Sequence, residues 1–153
     1  MNYTGKKVAI LGYGIEGKDA ENFLLSKKAI VTILDQKDNP NYLLGLDKYD
    51  LIVRSPGVRY FNKSLKITTP TNIFFEEFKG RIIGVTGTKG KGTTSTLIYE
   101  ILKSAKYDVY LAGNIGKPAL ELLSVLNDKS YVILEMSSFQ LIDLQKSPKL
   151  IMQ

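Results

Sequence analysis

Short runs of apolar, mostly β-branched residues recur along the chain, and polar or glycine-rich stretches separate them. Runs of this length, bounded by turn residues, predict buried strands. They occupy positions 8–11, 30–34, 50–53, 66–68, 81–86, 108–111 and 131–134. The stretches between them favour helices, which we expect at about 18–26, 70–78, 95–106 and 118–126. Because strands alternate with helices, the sequence predicts right-handed βαβ units with parallel sheets, an α/β fold.

A helix stop at Lys79 and Gly80 divides this pattern into two parts. We expect one α/β domain over residues 1–80 and a second over residues 81–153. The segment 147–153 resembles a turn that enters a new strand, and the sequence stops there. Because a sheet that expects a further strand is then left incomplete, we expect the second domain to be truncated.

The composition is typical of a globular protein, with 44% hydrophobic and 24% charged residues in a chain of 153. The chain has no cysteine and no histidine, which excludes disulfides, thiolate metal sites and the commonest general base. Any bound metal should therefore be a hard ion held by oxygen, most simply Mg²⁺ together with phosphates.

The formal net charge is +6, but the lysines are scattered along the chain. Scattered charge favours a solvated surface, or attraction of anionic nucleotides, over a nucleic-acid-binding stripe. The sequence shows no signal peptide and no membrane span, so we expect a cytoplasmic protein without nucleic-acid or membrane partners.

A glycine-rich segment lies between the strand at 81–86 and the helical stretch that follows. It consists of Gly87, Thr88, Lys89, Gly90, Lys91, Gly92, Thr93 and Thr94. Glycines let backbone N–H groups approach phosphate oxygens, the helix N-terminus adds partial positive charge, and a lysine adds a full one. The segment therefore predicts a nucleoside triphosphate site. It departs from the general P-loop pattern, because Val85 and Gly92 replace a glycine and a hydroxyl residue.

A second glycine pattern, Gly12, Gly14 and Gly17, follows the first strand, and Asp35 follows the second. This arrangement resembles a dinucleotide-binding fingerprint, and by itself it would suggest an NAD-dependent oxidoreductase. It predicts a phosphate-bearing ligand near the first turn. Asp35 could contact a ribose or a base, or it could cap a loop.

Glu135 ends the apolar strand at 131–134. A carboxylate at that position could hold Mg²⁺ opposite a triphosphate, or it could be an exposed group at a strand end. The polar residues that follow it, Ser137 to Gln140, could border a substrate.

Four segments together resemble the Mur ligase family, and in particular its D-glutamate-adding members. They are 8–17, 50–58, 83–94, and 113–116 joined to 134–141. The run Ser137-Ser138-Phe139-Gln140 is the part most specific to the D-glutamate-adding members. The chain carries Lys89 where the family often has asparagine, and Gly92 where it often has serine or threonine.

The resemblance implies a Rossmann-like parallel-sheet N-terminal domain that binds the UDP part of UDP-MurNAc-L-alanine. It also implies an incomplete P-loop α/β domain that binds ATP and Mg²⁺. The implied UDP-substrate residues are Gly14, Ile15, Glu16, Asp35, Gln36, Ser55, Pro56, Gly57, Asn114, Ser137 and Gln140. The implied catalytic residues are Lys91, Asn114 and Glu135, and the implied metal-binding residues are Thr93 and Glu135.

In the family, the γ-phosphoryl of ATP moves to the substrate carboxylate, and D-glutamate then attacks the acyl phosphate. Since the family places a histidine and a modified lysine in later segments, we expect this chain alone to be inactive, and we expect a monomer. The alternatives are a non-catalytic nucleotide-sugar-binding module, another Mur-type or folylpolyglutamate ligase, and an oxidoreductase.

Overall fold

The computed structural model describes residues 1–145 and 150–152 of the chain. The chain divides into two compact units, Met1–Ile73 and Phe74–Gln153. Each unit is built on its own four-stranded parallel sheet, as the alternation of strands and helices predicts. The two compact units divide after Ile73. The domain boundary that the sequence predicts, at 80/81, remains a prediction.

The first unit has the order β1 (Lys7–Leu11), α1 (Ile15–Ser26), β2 (Ile30–Leu34), β3 (Leu51–Arg54) and β4 (Ile67–Thr68). A single 3₁₀ turn, Leu46–Lys48, precedes β3, and α2 (Pro70–Glu77) follows β4 and contains the division between the two units. The strands lie in the order β2-β1-β3-β4. β1 is therefore flanked on both sides, and Val8 pairs with Val31 of β2 and Leu51 of β3.

The core of the first unit lies around its two central strands. Residues 8–11 of β1 are fully buried, and β3 is buried along its whole length. Strands covered on both faces are continuous apolar runs, which is why these segments lack the alternation of a half-exposed strand. The edge strand β2 differs, since Ile30 is 56% exposed.

The second unit has the order β5 (Arg81–Val85), α3 (Lys91–Ser104), β6 (Val109–Gly113), β7 (Tyr131–Glu135), α4 (Ser138–Ile142) and β8 (Leu150–Met152). The strands lie in the order β6-β7-β5-β8. β7 is thus inserted between β5 and β6, and Ile133 at its centre is fully buried. β8 pairs with the other side of β5, with Gly84 opposite Ile151.

The predicted strands are confirmed, and two predicted helices differ from the structure. α1 begins at Ile15 rather than near Lys18, directly after the glycine turn. The helix expected at 118–126 is wrong, because that segment forms only a 3₁₀ turn at Glu121–Ser124. The buried residues there are Leu120 and Leu122, and a spacing of two does not place both on one face of an α-helix.

The short helix α4 has no counterpart in the sequence prediction. The expected turn at 147–149 lies outside the described residues, whereas the strand expected to follow it is present as β8. Among the described residues, no helix has both the length and the apolar character needed to cross a bilayer.

The close approach of α1 to the turn after β1 gives a test of the fold. A Cβ atom at Gly17 would lie 2.3 Å from the carbonyl oxygen of Gly12. We expect Gly17→Ala to destabilise the chain by about 3 kcal/mol, the upper end of the usual cost of overpacking, because backbone atoms must move apart. Gly57→Ala is the matched control, since a Cβ there meets nothing within 4 Å. Urea denaturation followed by circular dichroism measures both, and equal stability of the two variants would contradict this packing.

Candidate nucleotide sites

A cleft of about 350 Å³ opens in the first unit, where the carboxyl ends of β1, β2 and β3 meet. It is lined by Gly12, Asp35, Gln36, Tyr42, Gly57, Val58 and Arg59. The chain leaves β1 towards β2 on one side, and β3 lies on the other side. Open α/β sheets bind ligands at such a switch point, outside the carboxyl ends of the strands.

The loops after β1 and β3 are joined by hydrogen bonds at the floor of this cleft. The Ser55 hydroxyl donates to the Gly12 carbonyl oxygen at 2.8 Å, and the Ser55 N–H donates to Leu11. Gly12 has a φ of +83°, and a Cβ there would lie 2.8 Å from the Val58 side chain. Glycine is therefore required at Gly12 both by the backbone angle and by the space available.

Asp35 holds the loop after β2. Its carboxylate accepts the Lys37 N–H at 2.9 Å and the Tyr13 N–H at 2.7 Å. These backbone hydrogen bonds, from Lys37 first and Tyr13 second, lower the pKa of Asp35 below its usual value of 3.8. Asp35 is thus a loop cap that also lines the cleft, and its predicted contact with a uracil stays a prediction.

Arg54 contacts Val58, one of the residues that line the cleft. It is 3% exposed at the end of β3, where it donates a hydrogen bond to the Val58 carbonyl oxygen. Its guanidinium also lies 4.8 Å from the ring centroid of Phe61. The sequence prediction missed Arg54, although the position of a cation at the end of an apolar strand could have indicated it.

The predicted residues of the first unit divide into two groups. Asp35, Gln36 and Gly57 line the cleft. The others, Gly14, Ile15, Glu16, Ser55 and Pro56, are not among the lining residues, although Gly14 caps α1 and the first turn of that helix follows. Tyr42, Val58 and Arg59 also line the cleft without having been predicted as site residues. Val58 ends the segment 50–58 that resembles the family, whereas Tyr42 and Arg59 belong to no sequence motif.

The predicted triphosphate site of the second unit forms a loop between β5 and α3. Gly87 has a φ of +141° and Gly90 has a φ of +76°, so the loop bends sharply before Lys91 begins the helix. Thr93 lies exposed in the first helical turn, and Thr94 donates its N–H to the Gly90 carbonyl oxygen at 2.9 Å. The segment 87–94 is therefore a glycine turn that leads into the start of α3, rather than an extended strand, and the first N–H groups of a helix have no partner within the helix.

Glu135 lies at the same edge of the sheet as this loop. It is 3% exposed, and its register partners are Val85 of β5 and Gly113 of β6. Within residues 1–145, no group donates a hydrogen bond to its carboxylate or forms an ion pair with it. Its carboxylate oxygens are not among the fully buried polar atoms that lack a partner, so the carboxylate stays accessible to a bound cation at this edge of the sheet. The alternative of an exposed strand-end group is wrong.

Asn114, Ser137 and Gln140 lie together beside Glu135. The Asn114 N–H donates to the Glu135 carbonyl oxygen at 3.1 Å, and the Asn114 amide donates to Gln140 Oε1 at 3.4 Å. Gln140 Oε1 also accepts the Ser137 N–H at 2.7 Å, and Ser137 Oγ accepts the Gln140 N–H at 3.3 Å. This capping box begins α4 and orients the Asn114 side chain.

The described residues contain no group of three or more histidine, cysteine, aspartate or glutamate side chains that could hold a metal ion. A metal at Glu135 would therefore take its remaining ligands from phosphate oxygens, from hydroxyl groups such as that of Thr93, and from water. Mg²⁺ accepts such a mixed oxygen set, whereas zinc would require imidazole or thiolate ligands that the chain lacks.

The chain is similar over nearly its whole length to curated ligases. It is 36% identical over 98% of its length to the UDP-N-acetylmuramoylalanine–D-glutamate ligase of Oenococcus oeni, and it spans 38% of that protein. It is 35% identical over 94% of its length to the ligase of the same name from Acetivibrio thermocellus, and it spans 37% of it. A third such ligase, from Buchnera aphidicola, is 38% identical over 92% of the chain.

A family model supports the same relationship for the second unit. The model described as the Mur ligase middle domain matches residues 85–151, a range that contains the glycine-rich loop, Asn114 and Glu135. The similarity to the curated ligases covers the first unit as well, including the residues that line its cleft. On these grounds the chain belongs to the Mur ligase family.

Proposed function

We propose that the chain carries the nucleotide-binding units of an ATP-dependent ligase that adds D-glutamate to UDP-MurNAc-L-alanine, a step of peptidoglycan precursor synthesis. The observation that carries the proposal is the position of Glu135. This residue is 3% exposed, its carboxylate has no partner within residues 1–145, and it lies in register with Val85, the last residue of β5, two positions before the glycine-rich loop begins at Gly87. The names of the curated relatives supply the two substrates.

The proposed reaction has two steps. A carboxylate oxygen of the substrate attacks the γ-phosphorus of ATP, the bond to the β–γ bridging oxygen breaks, and ADP leaves. The amine of D-glutamate then attacks the acyl carbon, inorganic phosphate leaves with its bonding electrons, and the amine loses a proton as the amide forms. In the first step two anions must meet, so the site must supply positive charge and alignment.

The residues of the second unit have separate parts in this proposal. The loop amides and Lys91 bind the β- and γ-phosphates, and Asn114 faces the substrate next to Glu135. Glu135 and Thr93 would hold Mg²⁺, which when bound offsets phosphate charge. Ser137 and Gln140 position Asn114 through the hydrogen bonds described above and border the substrate.

The first unit binds the UDP part of the substrate. The backbone around Gly14, Ile15 and Glu16 at the start of α1 lies next to the diphosphate, and Asp35 and Gln36 lie next to the uracil. Ser55, Pro56 and Gly57 complete the site. The cleft at the switch point of this sheet supports the assignment, since it has the position at which such sheets bind nucleotides. A monomeric protein in the cytoplasm is part of the same proposal.

Titration calorimetry of the 153-residue chain tests the proposal directly. We expect UDP-MurNAc-L-alanine to bind, ATP with Mg²⁺ to bind more weakly, and NADH to give no heat. Binding of the UDP-sugar without any binding of ATP would favour the alternative of a nucleotide-sugar-binding module. Preferential binding of NADH would overturn the proposal.

The role of Glu135 gives a second prediction. We expect Glu135→Gln to weaken Mg²⁺-dependent ATP binding about tenfold or more, because loss of a metal-site carboxylate costs at least as much as loss of its supporting groups. The same change should leave the chain as stable as before, since no hydrogen bond or ion pair of the Glu135 carboxylate within residues 1–145 is lost. Calorimetry with and without Mg²⁺ and urea denaturation measure the two effects. Glu100→Gln, an exposed carboxylate on α3, is the control, and an equal effect of both changes would contradict the assignment.

The hydrogen bonds of Asp35 give a pH-dependent prediction. Because its pKa is lowered in the folded chain, ionised Asp35 stabilises the fold above about pH 4, and this contribution is lost as pH falls through the folded value. Asp35→Asn should therefore lower the urea midpoint at pH 7, and the difference from the parent chain should shrink near pH 3. Asp38→Asn, an exposed neighbour, should show no such change. A difference that is the same at both pH values would show that Asp35 does not act through its charge.

A further inference from the structure

We propose that Tyr42 and Arg59 bind the nucleotide in the cleft of the first unit, with Tyr42 against the base and Arg59 against the diphosphate. Neither residue belongs to the glycine pattern or to the other motifs of the chain. Both line the cleft beside Asp35 and Gln36. The inference rests on the proposed binding of a UDP-sugar, and it names the side chains that give this cleft its charge and its aromatic surface.

Arg59 is an exposed cation with no assigned partner. Within the described chain, no hydrogen bond, ion pair or ring contact joins its guanidinium to another residue. The acid that lines the same cleft, Asp35, already accepts two backbone N–H groups, from Lys37 and Tyr13. The guanidinium is therefore available for an anion, and its planar set of donors suits phosphate oxygens.

The position of Arg59 favours the diphosphate over the base. Arg59 follows the turn after β3, in which the Val58 N–H donates to the Ser55 carbonyl oxygen at 3.0 Å. The Ser55 hydroxyl in turn donates to Gly12, in the glycine turn that leads into α1. This connection places the Arg59 turn beside the loop whose helix start favours phosphate.

Tyr42 lies in the long connection after β2, which also carries Asp35 and Gln36. Its ring is half-buried and packs against the core cluster of Ala9, Leu11, Leu46 and Ile52. Tyr42 is also one of the residues that line the cleft. A ring held on one side by the core loses little freedom when a ligand covers the other side, so it offers a firm stacking surface for a base.

Calorimetry with UDP and UDP-MurNAc-L-alanine tests both residues in the 153-residue chain. We expect Arg59→Gln to weaken both ligands about tenfold at low salt, because one charge-assisted contact is lost. The difference in affinity between Arg59→Gln and the parent chain should decrease as the salt concentration is raised, since exposed charges are screened. Tyr42→Leu should weaken both ligands about tenfold at any salt concentration, as loss of base stacking does. Tyr42→Phe should bind like the parent chain.

Two controls separate binding from folding. Lys63→Gln removes an exposed cation that does not line the cleft, and it should leave affinity unchanged. Tyr60→Leu truncates a tyrosine that packs against the same core cluster without lining the cleft, so it reports the loss of packing alone. Circular dichroism confirms that each variant is folded.

The outcomes distinguish this inference from the proposed function on which it rests. If the parent chain binds neither UDP nor the UDP-sugar, the proposed function fails, and this inference fails with it. If the parent chain binds while Arg59→Gln and Tyr42→Leu bind as well as their controls, the proposed function stands and the roles of Arg59 and Tyr42 are wrong. A loss in Arg59→Gln that does not depend on salt would also overturn its role as a phosphate-binding cation.

Discussion

The parallel register between β5 and β7 is the constraint on which the proposed catalytic site depends. It pairs Val85 with Glu135, so the strand that leads into the phosphate loop and the strand that ends in the acid finish at the same level. The pairing of Glu135 with Gly113 adds the end of β6, and Asn114 follows directly. A shift of one residue along β7 would turn Glu135 to the other face of the sheet. The backbone ladder, rather than any side-chain contact, therefore sets the position of Glu135 relative to the glycine-rich loop.

Close backbone packing holds the corresponding edge of the second unit. The residue before Asn114 is Gly113, which has a φ of +104°, and a Cβ there would lie 2.1 Å from the Glu135 carbonyl oxygen. The first unit uses the same device, since a Cβ at Gly17 would collide with Gly12. In both units glycine permits a loop to approach a neighbouring backbone, and the polar groups that follow are thereby brought to one edge.

The two acids at these edges, Asp35 and Glu135, differ in the hydrogen-bond donors that surround them. Asp35 is held by two backbone N–H groups, so its charge is stabilised before any ligand arrives. Glu135 is nearly fully buried, and within residues 1–145 it has no such donors. The first arrangement suits an acid that shapes a loop, whereas the second suits an acid whose charge is offset by a bound cation. This contrast supports a structural part for Asp35 and a metal-binding part for Glu135.

The sequence by itself determined the two parallel α/β units, because continuous apolar runs and glycine-rich turns are local features that need no partner to be recognised. It also located the glycine-rich loop and both acids, since each lies at the end of a strand or shortly after it. Three things were decided only by tertiary structure: the burial of Glu135, the hydrogen bond from the distant Tyr13 N–H to Asp35, and the presence of Tyr42 and Arg59 in one cleft. The formation of a 3₁₀ turn at Glu121–Ser124, in place of a helix, was also decided by tertiary structure. The physical reason is common to all of these, because burial and side-chain proximity depend on strand order and register, which bring together residues that are far apart along the chain.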